Sequence, residues 1–222
     1  SLIDNAMPHI NKKLILKLDI KNFFDNITFD MVYESCFREE LYPKSIGILL
    51  TKLCTYKGHL PQGAPTSAYI SNIVMREFDE VIGIYCSNKD ISYTRYSDDL
   101  TFSGDFKPSE VINIVKLELK KYRLKLNYDK ISIIQHNKRQ TVTGIVVNEK
   151  INIKREYFKK IRQEIYYITK FGIDEHLDKL NISNKTKYLD SLLGRINYVI
   201  QITDNKEFIT YKNFLKDQLN IN

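Results

Sequence analysis

Residues 91–103, Ile-Ser-Tyr-Thr-Arg-Tyr-Ser-Asp-Asp-Leu-Thr-Phe-Ser, read as two short strands joined by a Ser-Asp-Asp turn. Adjacent carboxylates at a tight turn constrain the chain strongly, because like charges held close raise each other's pKa. Asp98 and Asp99 share one small volume only if something neutralises them. A third carboxylate lies 79 residues before Asp98. In 14–20, Leu14, Leu16, Leu18 and Ile20 fall on one face of a strand and Ile15, Lys17 and Asp19 on the other. A divalent cation is the usual neutraliser. Mg²⁺ prefers oxygen ligands and takes only one or two carboxylates, leaving room for water and phosphates. Two such ions can clamp the attacking and leaving oxygens of an in-line phosphoryl transfer. The plain alternative for any Asp-Asp pair is a solvated turn.

Helical spacing is expected over 28–40 and 43–56, where Ile46, Leu49, Leu50 and Leu53 form a stripe. Residues 58–66 are a Gly/Pro-punctuated loop. A helix is expected from about Ser67 to Tyr85 on the stripe Ile70, Ile73, Val74, Phe78 and Ile82, and another over 108–123 with Pro108 in its first turn. Two β-rich stretches, 131–135 and 141–148, follow. From Lys154 the pattern is helical and basic, with Tyr157, Ile161, Ile165 and Ile168 in one stripe. Residues 151–222 carry 13 Lys/Arg against 9 Asp/Glu, +4 of the total +7. The domain boundary is therefore expected near residue 150.

A net charge of +7 suits a polyanionic partner, and the 15 tyrosines and 11 phenylalanines among basic residues suit base stacking, although most rings are expected in the core. Cys36, Cys54 and Cys86 are odd in number and form no CxxC pair, which supports neither a disulfide framework nor a zinc site and favours a reducing cytoplasm. No apolar run reaches the ~20 residues needed to cross a bilayer, so no membrane partner is expected. His59 and His136 read as surface or packing histidines, and His176 as part of a solvated charge cluster with Asp174, Glu175 and Asp178.

Four segments together resemble the palm motifs of reverse transcriptases, in family order. They are Leu18-Asp19-Ile20-Lys21-Asn22-Phe23-Phe24, Leu60-Pro61-Gln62-Gly63-Ala64-Pro65-Thr66-Ser67, Tyr96-Ser97-Asp98-Asp99-Leu100, and Leu124-Lys125-Leu126-Asn127 with Lys130. Two flanking elements are similar to those of the retron-type enzymes: Asn5-Ala6-Met7-Pro8-His9 to their Asn-Ala-x-x-His element, and Val142-Thr143-Gly144 to their Val-Thr-Gly element. One departure is Ser97, where alanine is common in retron enzymes.

The resemblance implies an α+β polymerase palm, an antiparallel sheet flanked by helices, over 1–150, and a helical basic thumb over 151–222. The family has fingers strands upstream of the Asn-Ala-x-x-His element, so the fingers are expected to be largely missing. The resemblance implies that Asp19, Asp98 and Asp99, with the Ile20 carbonyl, bind two Mg²⁺ ions. It places Phe24 under the nucleotide sugar, where its ring would exclude a ribose 2′-hydroxyl, and leaves Phe23 to the core. Gln62 and Gly63 would approach the incoming nucleotide and template. Lys130 would lie near the pyrophosphate and protonate it; a solvated lysine is an equal alternative. Ser191–Tyr198 looks like a thumb helix, with Gly194 allowing close approach, or simple helix packing.

The implied function is RNA-directed DNA synthesis from dNTPs on a structured non-coding RNA, giving an RNA–DNA hybrid primed from a 2′-hydroxyl. A role in phage defence with an associated effector protein belongs to the same implication. RNA contacts are expected from Asn5, His9, Val142, Thr143 and Gly144 and from Lys154, Arg155, Lys159, Lys160 and Arg162, whose plain alternative is solubility. The rivals are another bacterial reverse transcriptase, of the group II intron or another defence-associated type, and a polymerase relative that only binds RNA.

Overall fold

The structure, a computed structural model, describes residues 1–219. Contacts divide the chain into two compact units, residues 11–140 and residues 1–10 with 141–222. This division differs from the boundary expected near 150: it falls ten residues earlier, and the first ten residues join the second unit. The reason is local. Helix α1 (Leu2–Ala6) packs against the hairpin of strands β5 (Thr141–Val142) and β6 (Ile145–Val146), tying the chain start to segments beyond 140.

In the unit 11–140, β1 (Leu14–Asp19) is followed by the short helices α2 (Phe23–Asn26) and α3 (Phe29–Val32). Helices α4 (Lys44–Cys54), α5 (Ser67–Val74) and α6 (Arg76–Ser87) come next, then β2 (Ser92–Tyr96), β3 (Asp99–Gly104), α7 (Pro108–Lys121) and β4 (Ser132–Gln135). The four strands form an antiparallel sheet in the order β2-β3-β1-β4. Register sorts the side chains by face. Leu14, Leu16 and Leu18 lie opposite Gly104, Phe102 and Leu100, and the apolar members of that set join one core with Phe78, Ile82, Val111, Val115 and Leu119 of the helices. The other face pairs Ile15 with Ser103, Lys17 with Thr101 and Asp19 with Asp99. In these pairs the first face is wholly apolar but for Gly104. The second mixes Ile15 with polar groups, yet Ile15, Ser103, Thr101 and Asp19 are buried too, so the central strands are covered on both faces.

Several expected elements shift. The helix expected from Ser67 to Tyr85 is two, α5 and α6, interrupted at Met75 (φ −90°, ψ 6°). The helix expected over 28–40 is α3 continued by one wider π turn, Tyr33–Phe37. Gly47 of α4 crosses that turn so closely that a Cβ there would collide with the Phe37 carbonyl oxygen. That close approach turns α4 outward: Gly47 and Thr51 are buried, while Ile46, Leu49 and Leu53 of the expected apolar stripe are exposed, Leu53 by 75%.

The second unit is mainly helical: α8 (Arg155–Phe171), α9 (Ile173–Lys179), α10 (Lys185–Thr203) and α11 (Lys206–Leu219). Ile161, Ile165 and Ile168 of α8 are buried as their spacing predicts, with Leu189, Leu192, Ile196 and Val199 of α10. Gly194 is no close contact, because a Cβ there would meet nothing within 4 Å. Among the described residues no helix is long and apolar enough to cross a membrane.

Candidate active site

Strand pairing brings the carboxylates together across 79 residues of sequence. Asp19 is the last residue of β1 and lies opposite Asp99, the first of β3. The Ile20 N–H donates to the Asp98 carbonyl at 3.0 Å, and the Asn127 N–H to the Asp19 carbonyl at 2.8 Å, so backbone bonds on both sides fix this strand end. Lys130, in the 3₁₀ turn Tyr128–Lys130, donates its ammonium to Asp19 Oδ2 at 2.8 Å. Burial first, then the charges of Asp98 and Asp19, push the Asp99 carboxyl above its usual range. The Asp19 hydrogen bond, with the carboxylate charges around it, raises Lys130.

A cavity of about 250 Å³ is lined by Asp19, Ile20, Phe24, Gln62, Asp98 and Lys130, with Asn22 and Asn127. Six of the expected site residues therefore line one cavity. Asp99 faces Asp19 in register without lining that cavity, and Gly63, at φ +88°, stands outside it. Both phenylalanines line the cavity. They differ in burial: Phe23 is 3% exposed and belongs to the core cluster, while half-buried Phe24 meets its ring edge-on at 5.2 Å between centroids.

For a divalent cation the donor chemistry is right: three oxygen donors whose mutual repulsion already burdens Asp99. The geometry is not a ready-made cage. Among the described residues no three His, Cys, Asp or Glu groups converge as metal ligands, and the Lys130 ammonium takes the cation's part at Asp19.

Sequence reasoning missed what braces this turn. Arg95, on the oily face of β2, has a side chain only 4% exposed and binds both carboxylate oxygens of Asp79 on α6. Its Nη1 also donates to the Ser97 carbonyl at 3.1 Å, and Tyr93 donates to Asp79 Oδ1 at 2.7 Å. The signal was available: an arginine sharing a strand face with Leu100 and Phe102 needs a carboxylate partner. Ser97 itself sits at φ 55°, which bends the chain so that Asp98 and Asp99 follow at once.

In the second unit Thr143 and Gly144 form the two-residue turn between β5 and β6, at φ 46° and 86°. Positive φ at both positions suits a tight hairpin, but it is rare for a β-branched residue. Val142 and His9 are fully buried, which leaves them no surface for an RNA contact here, whereas Asn5 and Thr143 are partly exposed and Gly144 exposed. Lys154, Arg155, Lys159, Lys160 and Arg162 are all exposed, although Arg162 is held by both carboxylate oxygens of Glu207. His176 is not in a solvated cluster. It is 5% exposed, its Nε2 lies 3.0 Å from the Tyr188 hydroxyl, and that hydroxyl donates to Glu164, which Arg195 grips with two N–H groups.

An antiparallel sheet with helices on its oily face and aspartates gathered at the ends of paired strands defines the palm of a template-copying polymerase. Residues 2–189 match the family described as reverse transcriptase (RNA-dependent DNA polymerase). The chain belongs to that family of nucleotidyltransferases, in its retron-type branch. It is 31% identical to the Retron Ec86 reverse transcriptase of Escherichia coli over 234 residues, covering 99% of this chain and 68% of that one. It is 33% identical to the Retron Ec83 reverse transcriptase of the same species over 184 residues, covering 75% and 58%. The chain thus spans between about half and two thirds of these relatives. The fold is also similar to telomerase from Candida albicans, solved with a fragment of telomeric RNA, at a TM-score of 0.50 and 12% identity over 94% of this chain and 42% of that one.

Proposed function

We propose that this chain copies a structured non-coding RNA into DNA by nucleotidyl transfer at the Asp19–Asp98–Asp99 site. The observation that carries the reading is the Asp19–Asp99 strand pair with Lys130 bonded to Asp19, in a chain of the reverse transcriptase family. In the reaction a primer hydroxyl attacks the α-phosphorus of a dNTP, a new P–O bond forms, and the bond to the leaving diphosphate breaks. Two Mg²⁺ ions held by Asp19, Asp98, Asp99 and the Ile20 carbonyl would supply charge neutralisation at the attacking and leaving oxygens. Asp19 and Asp98 fix the polar wall of the cavity. Phe24 closes it beneath the sugar and excludes a 2′-hydroxyl, Gln62 faces the nucleotide and template, and Lys130 delivers a proton to the departing diphosphate.

Recognition of the RNA is assigned to the second unit. Lys154 and Arg155 stand at the N-terminal end of α8, where a cation opposes the helix dipole. Placement against the local field favours a phosphate partner for them over a stabilising role. The similarity to retron enzymes supports a hybrid RNA–DNA product primed from a 2′-hydroxyl, a cytoplasmic location, and a part in phage defence with an effector protein. The test is primer extension on an RNA template with dNTPs and Mg²⁺. Asp98→Asn and Asp19→Asn should each abolish product while the fold and RNA binding persist. Near-normal extension by either would overturn the assignment.

A further inference from the structure

Beside the candidate active site, the unit 11–140 holds a second, larger concavity of about 750 Å³, lined by Lys21, Lys116, Lys120, Arg123 and Lys125 with Tyr128 at its wall. The two cavities share two stretches of chain. Asp19 and Ile20 line the first and Lys21 the second; Asn127 and Lys130 line the first, Lys125 and Tyr128 the second. The Lys21 N–H donates to the Lys125 carbonyl at 2.9 Å, and Ile20 bridges to Leu126, so the join between the stretches is fixed by the backbone.

Lys13, Lys89, Arg95, Lys121 and Lys130 each hold a carboxylate. Among the described residues none of the five groove cations makes an ion pair or a side-chain hydrogen bond. Lys12, Lys52 and Lys107 of the unit also make no ion pair among the described residues, so what distinguishes the groove is that five cations gather around one concavity. The nearest acidic residue on the same helix, Glu118, is buried and taken by Lys121. Two ordinary explanations fall short. A cation in the last turn of a helix offsets its dipole, which accounts for Lys120 but not for Lys21 or Lys125, which come from other segments. Solubility needs charges spread over a surface, whereas five of one sign around a concavity repel one another. Arg123 adds a backbone argument. It sits at φ 57° just past the end of α7, where glycine is the usual residue and an L-residue is strained.

We propose that this groove is a binding site for a compact polyphosphate, the triphosphate of a nucleotide or the diphosphate released from one. Its volume falls in the range of small-molecule sites, about 300–1,000 Å³. A nucleic-acid backbone is instead tracked by an extended groove. Leu124 and Leu126 give it an apolar floor, and the exposed Tyr128 ring offers a stacking face for a base. The groove as a holding place beside the reaction site rests on the polymerase reading, whereas the binding itself does not.

The experiment is calorimetric titration of the full chain, in buffer containing EDTA, with pyrophosphate, tripolyphosphate and a dNTP. The triple variant Lys116→Ser, Lys120→Ser, Arg123→Gly should weaken tripolyphosphate binding at least tenfold. A charge-matched control, Lys12→Ser, Lys52→Ser, Lys107→Ser, and the site variant Asp98→Asn should each change it less than twofold. Arg123→Gly alone, which relieves the backbone, keeps the test open if the triple variant unfolds, and should weaken binding about threefold. Tighter binding of the dNTP than of tripolyphosphate identifies the nucleotide as cargo; tighter pyrophosphate identifies the product. No metal-free binding, equal loss in the control, or a stronger effect of the variant on an RNA duplex than on tripolyphosphate overturns the proposal. Primer extension reports separately: active enzyme without polyphosphate binding sinks only the groove, and binding without activity sinks only the polymerase.

Discussion

The ammonium of Lys130 lies 2.8 Å from Asp19 Oδ2, although the two residues are 111 positions apart. The Lys130 side chain is 61% exposed, and the bond places its protons at the edge of the candidate site. If the ammonium protonates the leaving diphosphate, Lys130→Ala should lower kcat about 10²-fold with a smaller effect on KM, as loss of a general acid does. Lys130→Arg keeps the charge but donates less readily, and should recover only part of the rate. Single-turnover extension over a range of pH checks both. A uniform rise in KM with unchanged kcat would leave Lys130 a binding group only.

Phe24 meets Phe23 edge-on and turns toward the cavity. Phe24→Val or Phe24→Ala should raise rNTP incorporation relative to dNTP by about tenfold or more, because the exclusion is steric. Phe24→Tyr, which keeps the ring, should not. The readout is the ratio of kcat/KM for the two nucleotides on one RNA template.

Asp79 is the counter-charge of an almost fully buried arginine. Asp79→Ala leaves Arg95 uncompensated and should destabilise the unit by about 3–5 kcal/mol, whereas Tyr93→Phe should cost about 1 kcal/mol. Urea denaturation measures both. A loss below 1 kcal/mol for Asp79→Ala would mean that water, not Asp79, satisfies the guanidinium.

Glu164 is held below the usual glutamate range: burial works against its charge, but hydrogen bonds from Arg195 and Tyr188 outweigh it. A carboxylate depressed in the folded state contributes stability above its unfolded pKa, and that stability is lost as pH falls through the lower folded value. Wild-type Tm should therefore drop more steeply than that of Glu164→Gln once pH passes below about 4.5. Parallel melting curves of the two proteins would refute the linkage.

Thr143 occupies a left-handed position that glycine adopts freely. Thr143→Gly should leave the hairpin as stable or more so, yet lower the preference for the cognate RNA over a scrambled stem-loop. Extension on a generic RNA–DNA primer-template should be unchanged. Binding at several salt concentrations measures the preference, and full discrimination by the variant would make Thr143 structural only.

Local periodicity made much of the fold legible. The alternation of 14–20, the stripe of α8 and the hairpin around Ser97-Asp98 are each decided by residues that are neighbours in sequence. Asp19, Phe24, Gln62, Asp98 and Lys130 were legible through the resemblance of their motifs to a family, and those motifs arrive together in one cavity. What stayed hidden depends on distant partners. The stripe of α4 has the right spacing, but the approach of Gly47 to Phe37 buries the opposite side. Arg95 and His176 look like surface residues until Asp79, Tyr188 and Glu164 are placed beside them. The division at residue 140 follows from α1 pairing with a hairpin more than 130 positions away, which no window of sequence contains.

The left-handed backbone at Ser97 sets stability and the polymerase box against each other at one residue. Stability selection acting alone would drift this position toward glycine or asparagine, since alanine and serine carry a similar backbone penalty there. A thermostabilising redesign guided by backbone preference would choose Ser97→Gly, and so would edit the turn on which Asp98 and Asp99 stand.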